Sequence, residues 1–226
     1  MRAVAILLVI AVLGAGGCRQ EVVGSLRGEA AQVAFDSLLA AAMPRPLAAS
    51  GDALLDVEQY RFRGHVALDV DADGDASVEL SGSSLFGGHR EDVAVSLADD
   101  TLRVLDRERG RFYEGDALDD LLWEGTEVRA NWTLLVEQML ALPGSGRGID
   151  VLVLDENGAR GSGPHGQVRL DINRGRLERA VWPNPIASAT YDDRLEAEYR
   201  WNGGQLQEIT AILPERGWRA RLRFVK

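Results

Sequence analysis

What most constrains this chain is the period of its apolar residues. From residue 60 onward they recur mainly at every second position, so sequence neighbours point to opposite faces, as they do along a strand. Two segments are especially clean. Leu195, Ala197, Tyr199 and Trp201 alternate with Arg194, Glu196, Glu198 and Arg200; Trp218, Ala220, Leu222 and Phe224 alternate with Arg219, Arg221 and Arg223. Each has one dry and one wet face, the pattern of an antiparallel sheet with one side in water. The same alternation runs through Val66, Leu68, Val70, then Val78 and Leu80, then Val93, Val95 and Leu97, then Leu102 and Val104. Turns separate them at 71–75 (Asp-Ala-Asp-Gly-Asp), Asp99-Asp100 and Arg109-Gly110. Further strands are expected at 149–154, 167–173, 176–182, 189–201, 205–213 and 218–225, with 149–154 apolar on both faces.

Helical spacing is confined to a few places. Residues 29–43 place Phe35, Leu38, Leu39 and Ala42 on one face, and Pro44 and Pro46 stop the run. A short helical turn is expected at 52–59, and helix-like segments at 116–123 and 131–142. In the last, Trp132, Leu135, Val136, Met139 and Leu140 form an apolar stripe that ends at Pro143-Gly144. A meander of about nine strands with one dry side needs a cover, and two or three helices are little material for it. The expected fold is therefore mainly β, of the α+β class: one curved antiparallel sheet forming an open half-barrel, with the helices as plug or lid.

The N-terminus carries a separate signal. Residues 3–13 are an apolar run, followed by Gly14-Ala15-Gly16-Gly17 and then Cys18, the sole cysteine. The run is too short for the ~30 Å hydrocarbon layer, and small residues after it favour cleavage of a signal peptide. A lone thiol makes no internal disulfide. The arrangement resembles the bacterial lipobox, with Ala15 where that pattern usually has Leu, and implies lipidation of Cys18. The residues after it, Arg19 and Gln20, lack the Asp that tends to retain such proteins in the inner membrane, so the outer membrane, periplasmic side, is expected. The domain division is a signal peptide at 1–17, a lipidated flexible tether at 18–28, and one domain at 29–226.

Composition narrows the partners. The chain has a formal net charge of −10, and loss of the signal, which contains Arg2 and no acid, makes it more negative. Such a chain repels phosphate backbones, so nucleic-acid binding is not expected. The membrane is expected to hold it through the lipid rather than a basic patch, because acyl chains contribute about 0.8 kcal/mol per buried CH₂.

Together, the lipoprotein signal, the N-terminal helix, the strand meander, two helices after Arg111-Phe112-Tyr113-Glu114-Gly115 and a long C-terminal meander resemble the LolA/LolB-like lipoprotein carriers. The resemblance is closest to the LolB-like outer-membrane lipoproteins and their relatives, and it covers about 60–142. There Phe62-Arg63-Gly64-His65-Val66 matches a first strand and Ser83-Ser84-Leu85-Phe86-Gly87 a corner between strands. The resemblance implies an incomplete barrel with a helical lid over a cavity for acyl chains, and a protruding corner at Leu85 and Phe86 that helps take over lipid.

Other motifs carry less. Asp69, Asp71, Asp73, Gly74 and Asp75 imitate a calcium loop, but Leu80 stands where a bidentate Glu is needed and the flanks are strands, so a hairpin turn is expected. Gly161-Ser162-Gly163-Pro164-His165-Gly166 leads into a strand instead of a helix and makes no phosphate cradle. Asn131-Trp132-Thr133 matches a glycosylation sequon that carries little weight on a helix stripe. His65, His89 and His165 are scattered, and no metal site, cofactor or nucleophile signature is apparent. The expected function is non-enzymatic: binding of a hydrophobic guest, either lipoprotein acyl chains or free lipid, with Leu85, Phe86, Trp123, Trp132, Leu135 and Met139 as candidate contacts. The alternative is an assembly lipoprotein that uses the sheet as a platform for an envelope protein partner.

Overall fold

In a computed structural model of the chain, the residues described are 24–57, 60–84, 90–98, 101–114, 129–130, 132–142, 145–183, 186–187 and 194–225. They form one open antiparallel sheet of 14 strands, a separate two-stranded pair and two α-helices. The chain starts with β1 (Gly24–Arg27) and α1 (Glu29–Ala42). An antiparallel run follows: β2 (Leu47–Val57), β3 (Tyr60–Val70), β4 (Ala76–Ser84), β5 (Arg90–Ala98), β6 (Thr101–Asp106) and β7 (Arg111–Glu114). After β8 (Arg129–Ala130) and α2 (Trp132–Leu140) come β9 (Val151–Asp155), β10 (Gly158–Gly163), β11 (Gly166–Asn173) and β12 (Arg176–Pro183). The chain closes with β13 (Ile186–Ala187), β14 (Arg194–Asn202), β15 (Gln205–Leu213), a 3₁₀ turn at Pro214–Arg216, and β16 (Trp218–Val225).

The strand order is β1-β9-β10-β11-β12-β14-β15-β16-β2-β3-β4-β5-β6-β7, so among the described residues β1 and β7 are the two edges and β8 pairs only with β13. The C-terminal strand β16 is the seam, pairing with β2 so that Leu222 lies opposite Ala53 and Phe224 opposite Gly51. The expectation of a mainly β, unclosed, single antiparallel sheet agrees with this.

Four expectations need correction. Residues 24–27, assigned to the tether, form β1 and pair with β9. Residues 52–59, read as a helical turn, lie in β2 as far as Val57, because Leu47, Ala49, Gly51, Ala53 and Leu55 keep a two-residue period despite their small side chains. As a result Phe62–Val66 belongs to the third strand, not the first. The sheet also has 14 strands, rather than about nine.

The sheet curls. In sheet order β6 lies seven spacings from β14, roughly 33 Å if the sheet were flat. Yet α2, nine residues long, touches β14, β15 and β6, and a helix of that length spans only about 13 Å. The sheet therefore wraps around α2. Glycines permit part of the bend: Gly64 and Gly82 face each other across β3 and β4. A Cβ on Gly64 would overlap the Ser81 carbonyl oxygen and come within 2.7 Å of the Gly82 Cα. Only residues without side chains allow the backbones this close.

The inner face is apolar and the outer face charged, as the alternation requires. Trp182, Leu195, Tyr199, Ile209 and Leu222 are at most 2% exposed. Outside, Arg179 pairs with Glu196 at 2.6 Å, and Arg221 with Glu208 at 2.8 Å. The aspartate-rich segment is a β3–β4 turn, as expected: Asp71 Oδ1 accepts the backbone N–H groups of Asp73, Gly74 and Asp75.

Candidate functional site

The two helices cover different parts of the inner face. On α1, Ala31, Ala34, Phe35, Leu38, Leu39 and Ala42 are buried, and the helix rests on β1, β9, β10 and β12. Phe35 meets Trp182 edge-on at 6.2 Å, and each large side chain so buried contributes about 1.5–3 kcal/mol. Gly146 packs against the Phe35 ring, where any Cβ would collide with it. The helix start is tied to the sheet as well: Gly28 N–H donates to the Asp150 carbonyl and Ile149 N–H to Gln32 Oε1. This half of the sheet is plugged.

The other half is covered by α2, and less completely. Its Leu135, Val136 and Met139 pack against the core yet stay half-buried, and so do Leu80 on β4, Val93 and Val95 on β5 and Tyr113 on β7. By strand register Leu80 lies opposite Val93, and Val95 opposite Val104, which in turn lies opposite Tyr113. Four apolar side chains of the sheet's inner face and three of α2 thus remain partly open to water in the half that α1 does not reach.

One hydroxyl fastens α2 to the sheet. Tyr199, on the dry face of β14, directs its O–H at the Gln138 and Met139 carbonyls, 3.2 Å from each. The local sequence explains why they accept it. The residue four positions after Met139 is Pro143, which has no N–H; Leu142 N–H bonds to Glu137 instead of to Gln138, whose carbonyl keeps only a 3.3 Å bond from Ala141 N–H besides the phenol. Burial pushes the Tyr199 phenol far above its ordinary range, with the nearby Trp182 indole opposing the shift.

The opposite side of α2 is polar. Glu137 and Gln138 are buried there, next to a cleft of about 200 Å³ shared with the 145–149 segment and the β10–β11 turn. Arg147 Nη2 lies 2.8 Å from Glu137 Oε1. A second recess of about 870 Å³, wide open, crosses the sheet where β15, β16, β2, β3 and β4 meet, among small residues such as Ala48, Ser50, Ala67 and Ser77.

Of the residues singled out from the sequence, Leu135 and Met139 stand together on α2. Trp132 is the first residue of that helix, and its side chain lies outside the described residues, as do Cys18, Leu85, Phe86 and Trp123. His65 is in β3, His165 lies in the β10–β11 turn, and His89 is outside the described residues. Among the described residues no three His, Cys, Asp or Glu side chains gather as metal ligands, and no helix is long and apolar enough to cross a membrane. The Gly161–Gly166 segment turns from β10 into β11, with no helix after it. Sequence reasoning missed Tyr113, Gln138 and Ser145. The one available signal was a polar Glu137-Gln138 pair inside an otherwise apolar helix. No protein-family model and no curated protein matches this chain.

Proposed function

We propose that this chain is a lipid-anchored protein of the bacterial envelope that binds a hydrophobic guest, lipoprotein acyl chains or free lipid, between α2 and the inner face of β4–β7. In this reading Cys18 bears the anchor, the protein sits on the periplasmic side of the outer membrane, and the guest is passed toward that membrane. The observation that supports it is the incompletely covered apolar surface: Leu80, Val93, Val95 and Tyr113 on the sheet, with Leu135, Val136 and Met139 on the helix. Eight methylenes taken from water there would contribute about 6 kcal/mol, near tens of micromolar before the costs of association.

A fragment starting at Arg19 keeps every described element and lacks the anchor. Purified, it should carry lipid detectable by mass spectrometry and should bind a fluorescent fatty acid, with Val95→Glu or Met139→Glu weakening the probe at least tenfold. A lipid-free fragment that also gives no probe signal would refute the proposal.

A second reading, a non-catalytic platform for an envelope protein, draws on the outer side of β6 and β7. There Leu105 and Phe112 are cross-strand partners, 39% and 59% exposed, beside an edge that pairs with no further strand among the described residues. Under this reading Phe112→Glu abolishes assembly in the envelope and Met139→Glu does not; under the first, Met139→Glu weakens the fatty-acid probe and Phe112→Glu leaves it unchanged.

A further inference from the structure

The cleft on the polar side of α2 is built in a way that neither reading uses. Its floor holds Gln138, 0% exposed, and Ser145, 2% exposed. Neither the amide nitrogen and oxygen of Gln138 nor the Ser145 hydroxyl has a hydrogen-bond partner among the described residues. Buried amides and hydroxyls left without partners cost about 1–3 kcal/mol each, and such groups are normally satisfied by protein, water or a ligand. Two of them lining one cleft of about 200 Å³ is therefore an unmet demand for hydrogen bonds concentrated at a single place.

The wall chemistry narrows the occupant. Glu137 and Arg147 both line the cleft and are paired at 2.8 Å, so its charges are already matched and an added ionic group would find no unmatched counter-charge there. The remaining polar groups are the Gln138 amide, the Thr133 and Ser145 hydroxyls and the His165 side chain; an amide or a hydroxyl both donates and accepts, which suits a ligand whose own groups do both. Leu134, Ile149, Val168 and Pro183 supply an apolar wall in the same cleft. Glycines open the backbone to it, among them Gly148 and Gly166, at φ values of 78° and 125°.

A sugar ring has this combination of chemistry: an uncharged body with an apolar C–H face and a rim of hydroxyls. We infer that the cleft between α2, the 145–149 segment and the β10–β11 turn binds a single six-membered sugar ring, free or as the end of a glycan chain. Gln138 and Ser145, whose polar atoms are covered in this structure, meet its hydroxyls once their side chains turn into the cleft, beside the Glu137–Arg147 pair. The inference is independent of the acyl-guest proposal, because the cleft is formed by the polar side of α2.

The test uses the full chain in detergent micelles and ligand-observed saturation-transfer NMR with glucose, N-acetylglucosamine and a disaccharide of the latter. Sorbitol, glutamate and hexanol serve as the acyclic polyol, ionic and apolar comparisons, and a sugar should bind in preference to each. At least one sugar should bind below about 10 mM, and Gln138→Leu should weaken it at least tenfold, as expected for loss of two hydrogen bonds in a buried site. Ser145→Ala, which removes one hydroxyl and little volume, should weaken it severalfold and serves if the first variant does not fold. A disaccharide that binds while the free sugars do not identifies a chain end as the source. No binding by any sugar, binding of sorbitol, glutamate or hexanol in preference, or sugar binding unchanged in both variants would overturn the inference.

Discussion

Removing the Tyr199 hydroxyl tests the account of α2 most directly. In Tyr199→Phe the ring keeps its place on the dry face of β14, and only the proton shared between the Gln138 and Met139 carbonyls is lost. The Met139 carbonyl then has no helical donor, since Pro143 offers none. A buried unsatisfied carbonyl costs about 1–3 kcal/mol, and the 3.2 Å shared geometry puts this one toward the lower end. For a domain of this size about 1.5 kcal/mol corresponds to a fall in Tm of about 3–6 °C, measurable by calorimetry at neutral pH. The pH dependence gives a second check. The folded phenol is raised above its unfolded value of about 10, so its stabilisation is complete below that pH and declines as pH rises past it. The decline amounts to about 1.4 kcal/mol per pH unit. The Phe variant lacks this term, so the gap between the two proteins should narrow from about pH 10 to 11. An unchanged Tm, or a gap that stays constant through the alkaline range, would refute the fastening role of Tyr199.

Other substitutions probe the sheet and its plug. Gly64→Ala places a Cβ against the Ser81 carbonyl and within 2.8 Å of the Phe62 ring, so the β3–β4 ladder must part; urea unfolding should show a loss of about 3 kcal/mol. Phe35→Ala removes a fully buried ring from the α1 contact with Trp182 and should cost about 3–5 kcal/mol, with a red shift in tryptophan fluorescence before global unfolding. Burial pushes the Asp106 carboxyl up, but the Arg109 side chain, the Arg109 backbone N–H and the Arg109 charge outweigh it and hold the carboxyl below its usual range. Its contribution is therefore present above the unfolded value of about 3.9 and is lost as pH falls through the folded one, so Asp106→Asn should flatten the acid limb of an unfolding titration.

The legibility of this fold in the sequence follows the strength of the local pattern. Residues 194–202 and 218–225 alternate large apolar with charged side chains and are strands in the structure. β2 escaped because Ala48, Ala49, Ser50, Gly51 and Ala53 are too small to mark a face, although Ala53 is only 2% exposed. β10, Gly-Ala-Arg-Gly-Ser-Gly, has no alternation to read and exists because β9 and β11 offer ladders on either side. The β16–β2 and β1–β9 pairings join residues far apart in the chain, which no local period encodes. At the candidate site, the helical stripe gave Leu135 and Met139. Leu80, Val93 and Val95 on the sheet read only as ordinary core, because how much of a side chain is covered depends on the curl of the sheet. Gln138 and Ser145 were illegible for a similar reason: an unmet hydrogen bond is a property of surroundings.

If a guest enters under α2, the helix is the part that has to yield. The sheet is a continuous ladder of 14 strands, whereas α2 has nine residues, too few to be a stable helix by itself. It keeps its place through the half-buried Leu135, Val136 and Met139, the buried Leu140 at its C-terminal end, the Tyr199 hydroxyl and the Glu137–Arg147 pair. Tyr199→Phe weakens this attachment without altering Leu135, Met139 or the half-buried apolar residues of β4–β7. Under the acyl-guest proposal the variant should exchange a fluorescent fatty acid faster in both directions, by up to about tenfold for 1.4 kcal/mol, while its equilibrium affinity changes little. Stopped-flow mixing measures both rates. A variant that melts lower but exchanges the probe at the wild-type rate would show that α2 is a fixed wall, and that any guest must enter by a route that leaves the helix in place.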